Sequence, residues 1–261
     1  MRVKSIKRYL ESRIGKYSFF FEDLGSGFVY GFNENVKMTA AGCMKLCIAV
    51  SLIKSVEDGK VDFMTKIPVR GKDKVYGTGI IHEFNEREYT VFELLVAMLI
   101  QSDNTAANKI IDIIGMDKIN DDIREMGLKN TSLNRKTSDE RVPRSDVENI
   151  TTAYDLSMIW KHLHNSTYLD EKNSTMLIDI LSRQQIKNKL GLYIPDDLKY
   201  EISSKSGDKK GVENDTAIIR LPKGNFVFTV MSSDIPNSVY GTVTLAKAGK
   251  MMWDEVMNNW H

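Results

Sequence analysis

The chain has 261 residues, with 36 Lys and Arg against 35 Asp and Glu, two cysteines and four histidines. This length is enough for one or two domains with a sizeable core, and the 42% of apolar residues excludes wholesale disorder. The net charge of +1 argues against a nucleic-acid-binding protein that relies on a basic surface, and the apolar runs are too short to cross a membrane.

The first part of the chain carries the pattern of a helix followed by a hairpin. Apolar positions recur with helical spacing over residues 2–14, and strands are predicted over 17–24 and 28–32 around a Gly-Ser-Gly turn. From residue 40 to about 190 the pattern is mainly helical, with capping sequences at Thr90 and Thr152 that mark two helix starts. Within it, residues 126–149 are polar and poorly periodic, which is typical of a functional loop.

The last part of the chain returns to strands. Three strands and a closing helix are predicted there, over residues 201–206, 216–221, 225–232 and about 242–260. A turn at residues 208–211 joins the first two of these strands.

This order of elements predicts an α+β fold. The expected architecture is a five-stranded antiparallel sheet flanked by N- and C-terminal helices, with an inserted all-α domain. We predict a discontinuous α/β lobe from residues 1–38 and 198–261, and an inserted helical lobe from residues 39–197. A ligand would bind in the cleft between the two lobes.

The cysteines and histidines exclude several kinds of site. Cys43 and Cys47 are one helical turn apart in an apolar stretch, and a disulfide at that spacing would strain a regular helix. We interpret them as two reduced core thiols. The scattered histidines provide no zinc partners, so we expect no metal and no organic cofactor. The chemistry is left to hydroxyl, amine and carboxylate groups.

Three short segments fall where the predicted lobes join. They are Gly42-Cys-Met-Lys45 entering a helix, Ser102-Asp103-Asn104 at a helix end, and Lys205-Ser206-Gly207 on a strand. Their order and separation resemble the S-x-x-K, S-D-N and K-[ST]-G motifs of the class A β-lactamase family and its penicillin-binding relatives. The resemblance spans nearly the whole chain and includes the turn at residues 76–80. It implies the α+β fold predicted above and a serine hydrolase that opens β-lactams through an acyl-enzyme.

The first motif lacks its nucleophile, because Gly42 stands at the position of the serine. Glycine cannot form an acyl-enzyme, and loss of the nucleophile in other covalent hydrolases lowers turnover about 10⁶-fold. We therefore expect an almost inert chain, which is either an engineered serine replacement or a naturally inactive homologue. Rescue by Cys43 is a third alternative, but one helical step turns its side chain by about 100° from the cleft.

The resemblance implies roles for the helix-borne residues. Lys45 would be the base toward a serine hydroxyl, on the same helix face as residue 42. Ser102 would relay a proton between Lys45 and the leaving group. Asn104 would hold the substrate amide, and Asp103 would brace the loop.

The third motif would supply the substrate-binding edge of the sheet. Lys205 and Ser206 offer a cation and a hydroxyl to a substrate carboxylate. Gly207 would let the substrate backbone approach the strand. The backbone amide of Asp208, together with that of residue 42, would form the oxyanion hole.

A second departure from the family pattern lies in the long loop. The family has an arginine followed two residues later by the glutamate that activates the deacylating water, whereas this chain has Arg135 and Thr137. A hydroxyl is a poor general base, so we expect slow deacylation. Asp139 and Glu140 could replace the glutamate if the loop is shifted, or they are solvated loop charges. Arg135 could anchor the loop against one of two acidic residues, Asp146 or Glu148.

The leading hypothesis is therefore a β-lactamase-type serine hydrolase without its nucleophile, with a small-molecule β-lactam, acyl-peptide or ester as its ligand. The alternatives are a penicillin-binding DD-peptidase or esterase with slow deacylation, and a non-catalytic protein that binds β-lactams or peptidoglycan. We expect a monomer without a nucleic-acid partner. No apolar region follows the basic N-terminal residues, so we expect a cytoplasmic location for this sequence, although the family is usually secreted or periplasmic.

Overall fold

The computed structural model describes residues 3–137, 147–195 and 200–260. Its helices are α1 (Val3–Glu11), α2 (Met44–Glu57), α3 (Val91–Ile100), α4 (Asn104–Ile114), α5 (Met116–Glu125), α6 (Ala153–Asn165), α7 (Glu171–Ser182) and α8 (Ser238–Asn259). Its strands are β1 (Lys16–Asp23), β2 (Val29–Phe32), β3 (Met38–Thr39), β4 (Lys66–Val69), β5 (Arg87–Thr90), β6 (Ile150–Thr151), β7 (Glu201–Lys209), β8 (Val212–Leu221) and β9 (Gly224–Ser233). The predicted α+β class is confirmed.

A five-stranded antiparallel sheet joins the two ends of the chain, with the strand order β2-β1-β9-β8-β7. Side chains alternate across it, as the strand period requires. Phe19 and Phe21 pack in one apolar cluster with residues of α1 and α8, whereas Phe20 belongs to the cluster under the inserted helices. The predicted flanking of the sheet by terminal helices is confirmed, and β7 lies at its edge.

The insert between β2 and β7 is mainly helical. Helix α2 is mainly apolar and buried over most of its length, which is typical of a helix inside a core. The structure adds two short strand pairs, β3–β6 and β4–β5, to the expected all-α insert. Strands this short carry too few residues for a periodic signal. The division into lobes at residues 38/39 and 197/198 stays a prediction, and its second boundary lies outside the described residues.

Both predicted helix starts are confirmed by their caps. Thr90 Oγ1 accepts from the amide of Glu93 at 3.1 Å, and Glu93 Oε2 accepts from the amide of Thr90 at 2.7 Å. Thr152 Oγ1 accepts from the amide of Asp155 at 3.0 Å at the start of α6. None of the helices in the described part of the chain is long and apolar enough to span a membrane.

The predicted turn at residues 208–211 is wrong. Asp208 pairs with Glu213, and Lys209 with Val212, so the two strands continue until only residues 210 and 211 remain for the turn. Gly211 has a φ of +79°, a left-handed conformation that glycine adopts without strain. Strand β8 therefore begins at Val212, earlier than the sequence pattern indicated.

Candidate active site

The three motifs meet at one hydroxyl group. Ser102, in the link between α3 and α4, places its Oγ 3.1 Å from the Nζ of Lys45 on α2 and 3.0 Å from the Nζ of Lys205 on β7. All three side chains are buried. The fold thus brings together residues that are far apart in the sequence, at the edge of the sheet where it faces the insert.

Lys45 is held by oxygen atoms. Its Nζ donates to the carbonyl oxygen of Ser102 and, at 2.7 Å, to Oδ1 of Asn104. Burial and, next in size, the charge of Lys205 lower the pKa of Lys45 to about 7, against smaller individual effects of Asp103 and Asp208 that raise it. A lysine with this pKa is partly a neutral amine at physiological pH and can accept a proton.

Lys205 lies on the other side of the hydroxyl. Its Nζ also donates to the carbonyl oxygen of Ser206 at 2.8 Å, and burial lowers its pKa to about 8. Ser206 Oγ accepts a hydrogen bond from Nε2 of Gln184 at 3.2 Å. Gln184 was not among the residues predicted from the sequence. The predicted carboxylate-binding pair is therefore inside the fold rather than on an open strand.

The backbone at position 42 is in close contact with β7. Gly42 lies in a 3₁₀ turn, Ala41–Cys43. A Cβ built on Gly42 would lie 2.9 Å from the carbonyl oxygen of Ser206 and 3.3 Å from Ser102 Oγ. A Cβ on Gly207 would lie 2.6 Å from the amide nitrogen of Gly42, so glycine is needed there for packing as well. Ala41 and Ser102 have φ angles of +47° and +55°, and strain of this kind clusters at functional sites.

The two cysteines are free and buried, in agreement with the interpretation as reduced core thiols. Cys43 Sγ lies 3.3 Å from the carbonyl oxygen of Lys205. Burial raises the pKa of each thiol to about 12. Because the thiolate is the nucleophilic form, Cys43 is a poor nucleophile.

Asp103 connects the second motif to the turn before it. Its Oδ1 caps α4 by accepting from the amide of Ala106 at 2.8 Å. Its Oδ2 accepts from the amides of Ile80 at 2.7 Å and Ile81 at 2.8 Å. Gly79 has a φ of +111°, and a Cβ on it would lie 2.4 Å from the Asp103 Cα. The turn therefore packs directly against the motif.

Two buried polar residues behind β7 were given no role from the sequence. Asn214 donates to the carbonyl oxygens of Thr39 at 2.9 Å and Ala40 at 3.3 Å, just before the 3₁₀ turn. Lys189 forms an ion pair with Glu213 at 2.6 Å and donates to the carbonyl oxygens of Gly207 at 3.2 Å and Asn214 at 3.3 Å. The signal that could have found Asn214 is a polar residue opposite Gly207 in a central strand.

Asp208 follows the third motif on β7. Its side chain is 49% exposed, and one of its oxygens lies 3.9 Å from Lys189 Nζ. The assignment of its backbone amide to an oxyanion hole with residue 42 stays a prediction.

The long loop is anchored at its two described ends. Arg135 Nη2 pairs with Glu148 at 3.1 Å, and Lys209 pairs with the same carboxylate. Burial alone would raise the pKa of Glu148, but the hydrogen bonds from Lys209 and Arg135 outweigh it and lower the pKa. Arg135 thus contacts one of its two predicted partners. The alternatives Asp139 and Glu140, and the other partner Asp146, lie outside the described residues.

Thr137 is positioned through its backbone. Asn108, on α4, donates from Nδ2 to the Thr137 carbonyl oxygen at 2.9 Å and accepts from its amide at 2.9 Å. Asn108 lies on the same helix as Asn104, so the loop is tied to the second motif. No role was predicted for Asn108 from the sequence.

The described residues contain no candidate metal site, and a surface depression lies apart from the three motifs. Across residues 3–137, 147–195 and 200–260 there is no group of three or more His, Cys, Asp or Glu that could hold a metal ion. A surface depression lies beside α5 and contains none of the motif residues. It is lined by Asp117, Asn120, Arg124, Leu128, Lys129, Thr131, Ser132 and Asn134.

Known proteins share both the sequence pattern and the fold. The model of the beta-lactamase enzyme family matches residues 1–256. The chain is 26% identical to β-lactamase CARB-3 of Pseudomonas aeruginosa over 190 residues, 72% of this chain and 65% of that protein, so the match spans somewhat less than two thirds of the relative. It is 25% identical to the D-alanyl-D-alanine carboxypeptidase DacF of Bacillus subtilis over 141 residues, 52% of this chain and 35% of that protein.

Solved structures extend the similarity to the whole fold. A β-lactamase from Sphaerobacter thermophilus superposes with a TM-score of 0.92 at 25% identity, over 98% of this chain and 97% of that one. A mutant of PBP-A, solved as an acyl-enzyme complex with penicillin G, superposes with a TM-score of 0.88 at 23% identity, over 98% and 96% of the two chains. Because the family model matches residues 1–256 of the 261 and the three motifs assemble at one hydroxyl, the chain belongs to the β-lactamase enzyme family.

Proposed function

We propose that this chain binds β-lactams, or acyl-peptides and esters of similar shape, and that Gly42 prevents the turnover typical of its family. The observation that carries the proposal is the position of Ser102 Oγ between the Nζ atoms of Lys45 and Lys205, directly beside residue 42. A serine at position 42 would lie next to a base, a proton relay and a cation. Glycine leaves these groups in place without a side chain for the acyl group to join.

The remaining residues supply binding. Lys205 and Ser206 would hold the substrate carboxylate, and Asn104 would hold its amide. Gln184 donates to Ser206 Oγ and Lys45 donates to Asn104 Oδ1, so the Ser206 O–H can still donate to a carboxylate and the Asn104 Nδ2 to a substrate carbonyl. The backbone amides of residues 42 and 208 would polarise the scissile carbonyl, and neither amide depends on a side chain at position 42.

Gly42→Ser tests this proposal, with Gly42→Ala as the matched control. Both variants force the Ser206 carbonyl oxygen to retreat by a few tenths of an ångström, because each adds the Cβ that would lie 2.9 Å away. They differ only in the hydroxyl. Incubation with penicillin G and a chromogenic cephalosporin, followed by intact-mass analysis, is expected to give a covalent adduct in Gly42→Ser and none in Gly42→Ala. If a folded Gly42→Ser variant forms no adduct and hydrolyses neither a lactam nor an ester, the site is not that of a serine hydrolase that lacks only its nucleophile.

A second candidate function is a penicillin-binding peptidase or esterase with slow deacylation. Thr137 favours it, because its backbone is held by Asn108 in the loop that would position the water, and it brings a hydroxyl instead of a carboxylate. The similarity to the carboxypeptidase DacF points the same way. In the Gly42→Ser background, the adduct is expected to persist for longer than the assay, and adding Thr137→Glu should shorten its lifetime. An equally short lifetime without Thr137→Glu would favour the efficient lactamase.

The third alternative is a non-catalytic protein that binds β-lactams or peptidoglycan. Calorimetric titration of the unmodified chain with penicillin G separates it from a disabled enzyme. If Lys45 contributes to ligand binding through the site, Lys45→Ala should weaken the affinity. An unchanged affinity would favour the purely non-catalytic protein.

A further inference from the structure

The Ser102 hydroxyl itself has the surroundings of an activated nucleophile. Lys45 Nζ has three oxygen neighbours, namely the Ser102 carbonyl oxygen, Asn104 Oδ1 at 2.7 Å and Ser102 Oγ at 3.1 Å. The first two can only accept hydrogen bonds. A neutral lysine has two N–H groups, which satisfy these two acceptors, and its lone pair then faces the one neighbour that can donate. Lys45 is therefore arranged to accept the proton of Ser102.

The opposite side of the hydroxyl carries a cation. Lys205 Nζ lies 3.0 Å from Ser102 Oγ and 2.8 Å from the Ser206 carbonyl oxygen, so a charged Lys205 can donate to both. As the proton leaves, negative charge develops on the Ser102 oxygen. A donor that is already in place stabilises that charge without reorganisation.

Residue 42 lies beside this oxygen and, being glycine, puts no side chain against it. Ser102 is only 4% exposed, and its Oγ lies 3.3 Å from the point where a Cβ of residue 42 would sit. Any other residue at position 42 would place a side chain against this face of the hydroxyl. Gly42 therefore supplies no nucleophile of its own and leaves the Ser102 hydroxyl without a side chain on this side.

We propose that Ser102 is the nucleophile of this chain and is acylated by β-lactams or activated esters. The Ser102 Oγ forms a bond to the carbonyl carbon while Lys45 Nζ takes the hydroxyl proton. The C–N bond of the lactam, or the C–O bond of the ester, then breaks, and the leaving nitrogen or oxygen takes the proton from Lys45. The product is an ester at Ser102. With Thr137 in place of a carboxylate, we expect this ester to accumulate, so the reaction is a single labelling event and not a catalytic cycle.

Mass spectrometry of the unmodified chain tests this inference, which rests on the proposed function. The chain is incubated with excess penicillin G or p-nitrophenyl acetate, its intact mass is measured, and the adduct is located by peptide mapping. We expect one equivalent of adduct on Ser102, at a rate that rises with pH around the pKa of Lys45, about 7. Lys45→Met should slow labelling about 100-fold or more, the range of a lost general base.

Two substitutions locate the reaction and one controls for folding. Ser102→Ala should abolish the adduct, and Gly42→Ala should suppress it by covering the hydroxyl. Ser55→Ala, which removes a buried hydroxyl farther along α2, should label like the unmodified chain. Thermal unfolding of each variant verifies that it is folded.

The outcomes separate the two proposals. Thermal stabilisation by penicillin G without any adduct would overturn the nucleophile and leave the binding function intact. Neither stabilisation nor adduct would overturn both. An adduct that maps to a lysine, or that survives in Ser102→Ala, would overturn the assignment to Ser102.

Discussion

Replacing Asp103 tests how strongly the second motif is tied to the turn before it. Asp103→Ala removes the cap of α4, a loss of about 1 kcal/mol for a typical N-cap. It also leaves the amide of Ile81 buried without an acceptor, which costs about 1–3 kcal/mol. The amide of Ile80 is less buried, so water can replace part of its bond. We expect the free energy of unfolding to fall by about 2–4 kcal/mol, within the range for a buried hydrogen-bond network.

Urea denaturation measures this loss, with Asp103→Asn as the matched control. The asparagine has one carbonyl oxygen, which can serve either the cap or the two turn amides. Its loss of stability should therefore be intermediate. The Asn104 amide donates to the Thr78 carbonyl oxygen at 3.0 Å in the same turn, so loosening the turn should also displace Asn104. The less stable variant should therefore also bind the ligand more weakly. A loss below about 1 kcal/mol for Asp103→Ala, with an unchanged m-value, would refute the assigned role of the carboxylate.

Three further predictions concern the packing and the charges of the site. Gly79 has a φ of +111°, and a Cβ on it would lie 2.3 Å from Asp103 Oδ2, whereas Gly127 has a φ of +74° and no atom within 4 Å of its Cβ position. Gly79→Ala should therefore lower the melting temperature far more than Gly127→Ala. Equal losses would mean that the turn moves freely. Lys189→Met leaves the Glu213 carboxylate buried and unpaired, so the free energy of unfolding measured by urea denaturation should fall by about 3–5 kcal/mol. Adding Glu213→Gln should recover most of this loss. No recovery would exclude the ion pair as its cause. The pKa of Lys45 falls from 10.5 to about 7 on folding, so the unfolded chain binds more protons between these values and the free energy of unfolding should rise with pH there. Lys45→Met should reduce that rise, and identical slopes in a urea series from pH 7 to about pH 10 would show that Lys45 is not neutral in the folded chain.

Local signals predicted the parts of the fold that depend on neighbouring residues. The Thr90 and Thr152 caps act within one helical turn, so the sequence alone locates both helix starts. The strands on either side of the insert were predicted from short segments separated by turn residues. The end of β7 was missed because Asp208 and Lys209 are residue types depleted in strands, and only their pairing with β8 keeps them extended.

The sequence by itself determined which chemical groups are present: two lysines, a serine between them in chain order, and a glycine at position 42, where the resemblance predicts a nucleophile. The tertiary structure decided that both amines contact the same hydroxyl and that position 42 lies against β7. It also decided the supports at Asn108, Lys189 and Asn214, whose partners lie in other elements. The reason is physical: the burial and the second charge that lower the pKa of Lys45 come from contacts between segments distant in the chain, which no local pattern encodes.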